Sequence, residues 1–300
     1  MTDLLTITDV GPRDGLQSQP SQVPTDGKRR LIQALYAAGL PSIEATSFVS
    51  PKSVPQMADA DALLPQVQVP AAARLSVLVP NLRGLERARA AGATEVAVVL
   101  AVTDTMNRKN IGMDLERASA TCVATLEQAR QWGMASRAYL AVAFECPFEG
   151  PTLPERVLRL AQQMTDAGAG EIVVADTIGA AAPAQVKTLV SLLSRHLEAG
   201  RLGMHFHDTR GMGLANAWAA LELGIRRYDA SIGGLGGCPF APGAAGNLAT
   251  EDLVVMARQS GLRTGIDLAR LRDAIDLAQE LVGYPIGGGS ARWLRARKFL

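Results

Sequence analysis

The chain has 300 residues, 48% of them hydrophobic, with 30 lysines and arginines against 29 aspartates and glutamates. So even a balance gives no electrostatic reason to expect nucleic acid or a membrane surface as partner. No apolar run reaches the ~18 residues of a membrane span, and the opening Met1-Thr-Asp-Leu-Leu-Thr6 has neither the basic nor the apolar region of a signal peptide. Three cysteines, Cys122, Cys146 and Cys238, are odd in number and far apart. They form no disulfide framework and no zinc-knuckle spacing, and a reducing cytoplasm is the expected compartment.

One phrase recurs along the chain. It reads Ala37-Ala-Gly39-Leu-Pro-Ser-Ile-Glu-Ala45, then Ala90-Ala-Gly92-Ala-Thr-Glu-Val-Ala-Val98, then Asp166-Ala-Gly168-Ala-Gly-Glu-Ile-Val-Val174, then Glu222-Leu-Gly224-Ile-Arg-Arg-Tyr-Asp-Ala230. Each copy ends an amphipathic helix on a glycine, the residue that takes the left-handed conformation of a C-cap, and then enters a short apolar strand. Continuous apolar strands of this kind belong to parallel sheets covered by helices. The pattern predicts eight strands, near Thr6–Val10, Ser42–Ala45, Arg74–Val79, Glu95–Leu100, Ser136–Ala143, Glu171–Ala175, Leu202–His207 and Arg226–Ile232. Helices are predicted between them, among them Asp114–Trp132, Pro154–Ala167, Pro183–Ala199 and Leu214–Leu223. Eight such units predict an α/β fold, a closed (β/α)8 TIM barrel. A doubly wound open sheet is the alternative, but no G-x-G-x-x-G follows the first strand. Residues 1–265 are read as the barrel. Residues 266–300 form a short helical extension, through Asp267–Leu281, and a tail introduced by Gly287-Gly-Gly-Ser290. The closing basic cluster, Arg292 to Lys298, suits the end of a solvated helix, where cations meet the dipole.

In a barrel the catalytic side chains stand at the C-terminal ends of the strands. Strand 1 ends in Gly11-Pro-Arg13-Asp14-Gly-Leu-Gln17, and strand 2 carries Glu44 before Thr46-Ser47-Phe48. Strand 7 ends in His205-Phe-His207-Asp208, and strand 8 runs into Gly233-Gly-Leu-Gly-Gly-Cys238-Pro-Phe240. Of three histidines, two share one strand tip, and alternate strand residues face one side. His205, His207 and Asp14, from strands flanking strand 8, are therefore a candidate ligand set. A carboxylate with two imidazoles and oxygen donors suits Mg²⁺ or Mn²⁺ better than zinc, which would want thiolates. The bland reading of H-x-H is a pair of core histidines. Asn247, just before a helix, reads either as an N-cap or as an oxygen ligand. Arg13 reads as an internal ion pair or as a fixed cation for a developing enolate. Glu44 reads as a surface carboxylate or as part of the same mouth. Cys238 sits in a segment with four glycines in six residues. Such a segment is costly to order and is expected to be mobile, bringing a reactive thiol over the mouth. Cys122 is read as core, His196 as structural, and Cys146 is open between the two roles.

Together these residues resemble the 3-hydroxy-3-methylglutaryl-CoA lyase family of the DRE-TIM metallolyase superfamily. The resemblance runs through Val10-Gly-Pro-Arg-Asp-Gly-Leu-Gln17, Ile43-Glu-Ala-Thr-Ser-Phe-Val-Ser-Pro-Lys-Ser-Val-Pro-Gln-Met57, Asn107-Arg-Lys-Asn-Ile111, Asp176-Thr-Ile-Gly179 and His205-Phe-His-Asp-Thr209. It is most specific at Gly234-Leu-Gly-Gly-Cys-Pro-Phe240 and Gly246-Asn-Leu-Ala-Thr-Glu-Asp-Leu253. The resemblance implies that Asp14, His205, His207 and Asn247 hold the divalent cation. It places Glu44 beside the metal, Arg13 on the enolate, Cys238 in proton transfer and Tyr139 and Gln17 in the substrate site, with Lys109 and Asn110 facing CoA. It implies a retro-Claisen cleavage of an acyl-CoA substrate with no organic cofactor, a place in leucine catabolism, and a homodimer. Glu145, Arg210 and Met212 depart from the family's pattern, so the substituent at substrate carbon 3 stays open. The alternatives are a lyase for a related 3-hydroxy-3-alkylglutaryl-CoA, a condensing synthase, and a non-catalytic CoA-binding scaffold. A scaffold is expected to have lost some of Arg13, Asp14, His207 or Cys238, and none is missing.

Overall fold

The structure, a computed structural model, describes residues 3–237 and 246–296. Eight parallel strands close into a barrel. They are β1 (Thr6–Asp9), β2 (Ser42–Ser47), β3 (Arg74–Leu78), β4 (Glu95–Ala101), β5 (Ala135–Ala141), β6 (Glu171–Asp176), β7 (Leu202–Phe206) and β8 (Arg227–Ala230). Each strand pairs with the next in the chain, and β8 closes on β1 with Thr6 opposite Arg227. That closure is the TIM barrel the sequence predicts and rules out the open sheet. Every residue of β2 and β6 is buried, as strands covered on both faces must be.

Helices surround the barrel: α1 (Thr25–Ala37), α2 (Ala60–Leu63), α3 (Leu82–Ala90), α4 (Asp104–Ile111), α5 (Leu115–Gln131), α6 (Pro154–Asp166), α7 (Pro183–Leu193), α8 (Gly213–Glu222) and α9 (Thr250–Gln259). The sequence explains their limits. α6 opens on a proline, whose missing N–H has no helical partner to lose, and buries Val157, Leu160, Ala161 and Met164 as one stripe. Asp114 caps α5 by accepting the Arg117 N–H at 2.8 Å. The four glycines of the recurring phrase all take positive φ: 93° at Gly39, 92° at Gly92, 113° at Gly168 and 90° at Gly224.

Beyond α9 the described residues carry α10 (Leu268–Val282), which packs on α1, and α11 (Ala291–Ala296), which packs on α10. Two carboxylates at the start of α9 tie this extension down. Gly288 N–H donates to Glu251 at 2.7 Å, and Gly289 and Ser290 N–H donate to Asp252 at 2.8 and 2.6 Å. In the basic cluster, Arg295 pairs with Asp276 at 2.9 Å.

Three local expectations need correction. α7 stops at Leu193, not Ala199: its C-cap is Ser194, turns follow, and a short 3-10 turn, Ala199–Arg201, leads into β7. β2 continues to Ser47, so Glu44 lies inside the barrel rather than at a strand tip. β5 ends at Ala141, and Val142 takes φ 52°, a left-handed conformation that a branched side chain strongly disfavours. Two threonines hold it there. Val142 N–H donates to Thr177 Oγ1 at 2.7 Å, and Thr152 Oγ1 donates to the Val142 carbonyl at 2.8 Å. The turn leads into a small antiparallel pair, Glu145–Cys146 with Gly150–Pro151.

Candidate active site at the barrel mouth

The site begins with the way β1 ends. Val10 carbonyl accepts the N–H groups of Arg13, Asp14 and Gly15, winding Gly11–Gly15 into one wide helical turn of the π type. Such turns are uncommon and recur at functional sites. The flanking glycines permit it. A Cβ on Gly11 would meet the Ile232 side chain at 2.8 Å, and one on Gly15 would meet the Leu235 side chain at 2.8 Å. Bare backbone thus lets the exit of β1 press against the exit of β8, and Arg13 and Asp14 are carried onto the mouth.

Arg13 is buried between two carboxylates. Its Nε donates to Glu44 Oε2 at 2.6 Å and its Nη1 to Asp14 Oδ1 at 2.5 Å. Burial works against the cation, but Glu44 and then Asp14 outweigh it, and Arg13 stays charged at any working pH. For Asp14, burial pushes the carboxyl up, and Arg13 with the two imidazoles brings it below its ordinary value.

His205 on β7 and His207 just beyond it are buried, their rings 5.3 Å apart. One ligand atom from each, with one from Asp14, all fall within 4.8 Å of one another. His205 Nδ1 lies 3.3 Å from Asp229 Oδ2. Burial disfavours its charge, but the Asp229 contact wins and raises its pKa. His207 goes the other way: burial first, then the neighbouring His205, lower it to about 4. It is neutral at physiological pH, and its Nδ1 is buried without a hydrogen-bond partner among the described residues.

Asn247 pairs with His207 through an isolated antiparallel bridge and so stands beside it. Its Nδ2 donates to Asp14 Oδ2 at 2.8 Å and to the Leu235 carbonyl at 3.0 Å. Its Oδ1 is buried without a partner among the described residues. The N-cap reading fails, since α9 starts at Thr250 and no side chain caps it. The donor set fits a hard divalent cation: one carboxylate, two imidazoles and an orphaned amide oxygen that half a turn of the amide would swap with Nδ2.

The remaining predicted residues divide. Tyr139 is buried on β5 with its ring edge-on to His205 at 6.1 Å, so it belongs to the cluster. Gln17 is half-buried just past the β1 turn. Lys109 and Asn110 are exposed at the end of α4, while the nearby Asn107 is buried, bonding the Ala101 and Thr103 backbone. Cys238 lies outside the described residues. Cys146 is buried and accepts a hydrogen bond from Thr103 Oγ1 at 3.1 Å, and Cys122 is core, its thiol pushed by burial up to about 12. His196 is exposed past the end of α7. At the rim, Glu145 and Arg210 lie 3.8 Å apart. Two residues next to the site escape motif reading, Asp229 and Arg137. Their signal is charge inside short apolar strands, where an ionised group is found only when it is paired.

The family model described as HMGL-like matches residues 4–278. The mitochondrial hydroxymethylglutaryl-CoA lyase of Arabidopsis thaliana is 42% identical over 291 residues, which are 97% of this chain and 62% of that protein. Among solved structures, the Bacillus subtilis HMG-CoA lyase superposes with a TM-score of 0.96 at 39% identity, covering 99% of this chain and all of that one. An HMG-CoA lyase from Acinetobacter baumannii in complex with coenzyme A and 3-methylmalate superposes with a TM-score of 0.94 at 41% identity, covering 99% and 97%. The barrel and these likenesses agree: the chain belongs to the HMGL-like family.

Proposed function

We propose that the chain is a carbon–carbon lyase that cleaves 3-hydroxy-3-methylglutaryl-CoA to acetyl-CoA and acetoacetate. The observation that carries this reading is the convergence of Arg13, Asp14, His205 and His207 on one barrel mouth in a chain of this family. Asp14, His205, His207 and Asn247 would hold Mg²⁺ or Mn²⁺, which when bound lowers the pKa of a substrate hydroxyl. The chain's own groups account for the rest. The C3 hydroxyl proton passes to His207 or Asp14. The C2–C3 bond breaks, its electron pair stays on the two-carbon thioester fragment, and carbon 3 becomes the ketone of acetoacetate. Arg13, a cation held by two carboxylates, faces the enolate oxygen as its charge develops. Cys238 returns a proton to the enolate carbon. Tyr139 and Gln17 line the substrate, with Lys109 and Asn110 toward CoA. In this reading residues 1–265 are the catalytic unit, and the enzyme works as a cytoplasmic homodimer.

A second reading keeps the chemistry and changes the substituent at carbon 3. It rests on the rim pair Glu145 and Arg210. Steady-state assays across 3-hydroxy-3-alkylglutaryl-CoA thioesters, with and without chelator, separate the two. Highest kcat/KM on the methyl compound, lost with chelator, supports the first reading. Preference for a longer substituent supports the second, and no cleavage of any member overturns both.

A further inference from the structure

The charged groups behind the site form one connected chain. His205 on β7 and Asp229 on β8 are register partners, so their side chains meet on the inner face. Asp229 Oδ2 faces His205 Nδ1 at 3.3 Å, and Asp229 Oδ1 accepts from Arg137 Nη2 at 2.6 Å. Arg137 starts on β5 and crosses the interior to reach β8. The same Nη2 donates to Glu171 Oε1 at 3.0 Å, and Nη1 donates to the Tyr139 hydroxyl oxygen at 3.1 Å. All of these side chains are buried, that of Asp229 completely.

We infer that Asp229 and Arg137 are positioning residues that set the His205 tautomer and the Tyr139 hydroxyl for work at the mouth. An aspartate bonded to a permanent cation only accepts hydrogen bonds. The His205 nitrogen facing it must therefore carry the proton, which leaves the Nε2 lone pair for an ion. That is the arrangement by which outer carboxylates orient ligating imidazoles and make them more basic. Tyr139 obeys the same logic. Its oxygen is occupied as an acceptor by Arg137, so its own O–H is left to donate away from Arg137. One guanidinium thus fixes a ligand on one side of the site and a donor on the other.

This inference rests on the metal reading above, and the test keeps the two apart. Mn²⁺ binding to the full-length chain is measured calorimetrically for the wild type and for Asp14→Ala, Asp229→Asn and Glu171→Gln. Asparagine at 229 offers one acceptor where two donors wait, so it serves Arg137 or His205 but not both. The expected result is a Kd for Mn²⁺ weaker by about 10- to 100-fold in Asp229→Asn. Glu171→Gln also loosens Arg137 yet leaves His205 its carboxylate, so it should lower Tm while Kd stays within about twofold of wild type. A second readout needs no variant: nitrogen NMR of the Mg²⁺-loaded wild type should show the His205 proton on Nδ1. No Mn²⁺ binding that depends on Asp14 overturns the metal reading. Wild-type-like binding by Asp229→Asn, or a proton on His205 Nε2, overturns this inference alone.

Discussion

Glu44 holds Arg13 through a single oxygen: Oε2 accepts from Nε at 2.6 Å and forms the ion pair with Nη2 at 2.5 Å, while Oε1 is buried with no partner among the described residues. The guanidinium is thereby aimed by β2 although it belongs to the turn after β1. Arg13→Gln removes the cation and leaves Glu44 unpaired in the interior. The expected outcome is a kcat lower by roughly 10²-fold or more, because the lost interaction forms with charge that exists only in the transition state. Steady-state kinetics check this, and a rise in KM at unchanged kcat would make Arg13 a ground-state anchor instead. Stability should also fall, by about 3–5 kcal/mol, as the buried carboxylate loses its partner.

The three cysteines give an internal control. Cys122 and Cys146 are buried, one with its thiol pushed up to about 12 and the other bonded to Thr103. Both should react slowly with iodoacetamide in the native protein. Alkylation of Cys238 should abolish turnover, with protection by a bound substrate analogue. Cys238→Ser should keep metal binding and lose most of kcat, since a hydroxyl is a far weaker acid than a thiol. Mass spectrometry of the modified peptide decides: inactivation that tracks Cys146 would remove Cys238 from the mechanism.

Glu251 gives stability a pH dependence of definite sign. Burial pushes its carboxyl from 4.5 up to about 7, despite the N–H groups of Gly288 and Gly233 that bond it. The folded chain thus binds this proton more tightly than the unfolded chain. The contribution is fully present below about pH 4.5 and is lost as pH rises through 7. Urea midpoints of wild type and Glu251→Gln, compared from pH 5 to 8, isolate it. The wild type should lose up to about 3 kcal/mol relative to the variant over that range, at about 1.4 kcal/mol per pKa unit. Parallel curves would show that Glu251 ionises as an ordinary carboxylate.

Gly39 and Gly92 share a conformation and differ in surroundings. Their φ values are 93° and 92°. A Cβ on Gly39 would lie 2.5 Å from the Gly265 carbonyl oxygen, while one on Gly92 would meet nothing within 4 Å among the described residues. Gly92→Ala should cost only the left-handed backbone strain, about 1–2 kcal/mol. Gly39→Ala should cost more, because the link between α1 and the segment before α10 must also shift. Equal losses by chemical denaturation would mean that the Gly265 backbone yields freely.

The fold was legible because its signals are local and repeat: four helix-ending glycines and eight apolar strands fall where those patterns put them. The candidate cluster was legible because β7 spaces His205 and His207 two apart and the β1 exit carries Arg13 and Asp14 as neighbours. Other features depend on closure of the barrel, which sequence spacing does not encode. Asp229 matters because it stands opposite His205 across the β7–β8 pair, and Arg137 because it reaches from β5 to β8. Nothing in the sequence marks that crossing. Val142 escaped for a different reason: a branched residue is a poor candidate for a left-handed turn, and only Thr177 and Thr152 make it tolerable.

Barrel interiors are commonly filled by layers of branched hydrocarbon, but here Arg137, Glu171, Asp229, Glu44 and Arg13 take much of that space. Ions drawn out of water are rarely the most stable filling, and well-packed apolar replacements of buried ion groups are often neutral or stabilising by about 1–4 kcal/mol. Joint replacement of Arg137, Glu171 and Asp229 by apolar residues of similar volume should therefore leave a barrel at least as resistant to heat and nearly inert toward substrate. The scaffold and the chemistry draw on the same interior volume, so engineering this chain for thermal robustness is best confined to the outer helices and loops.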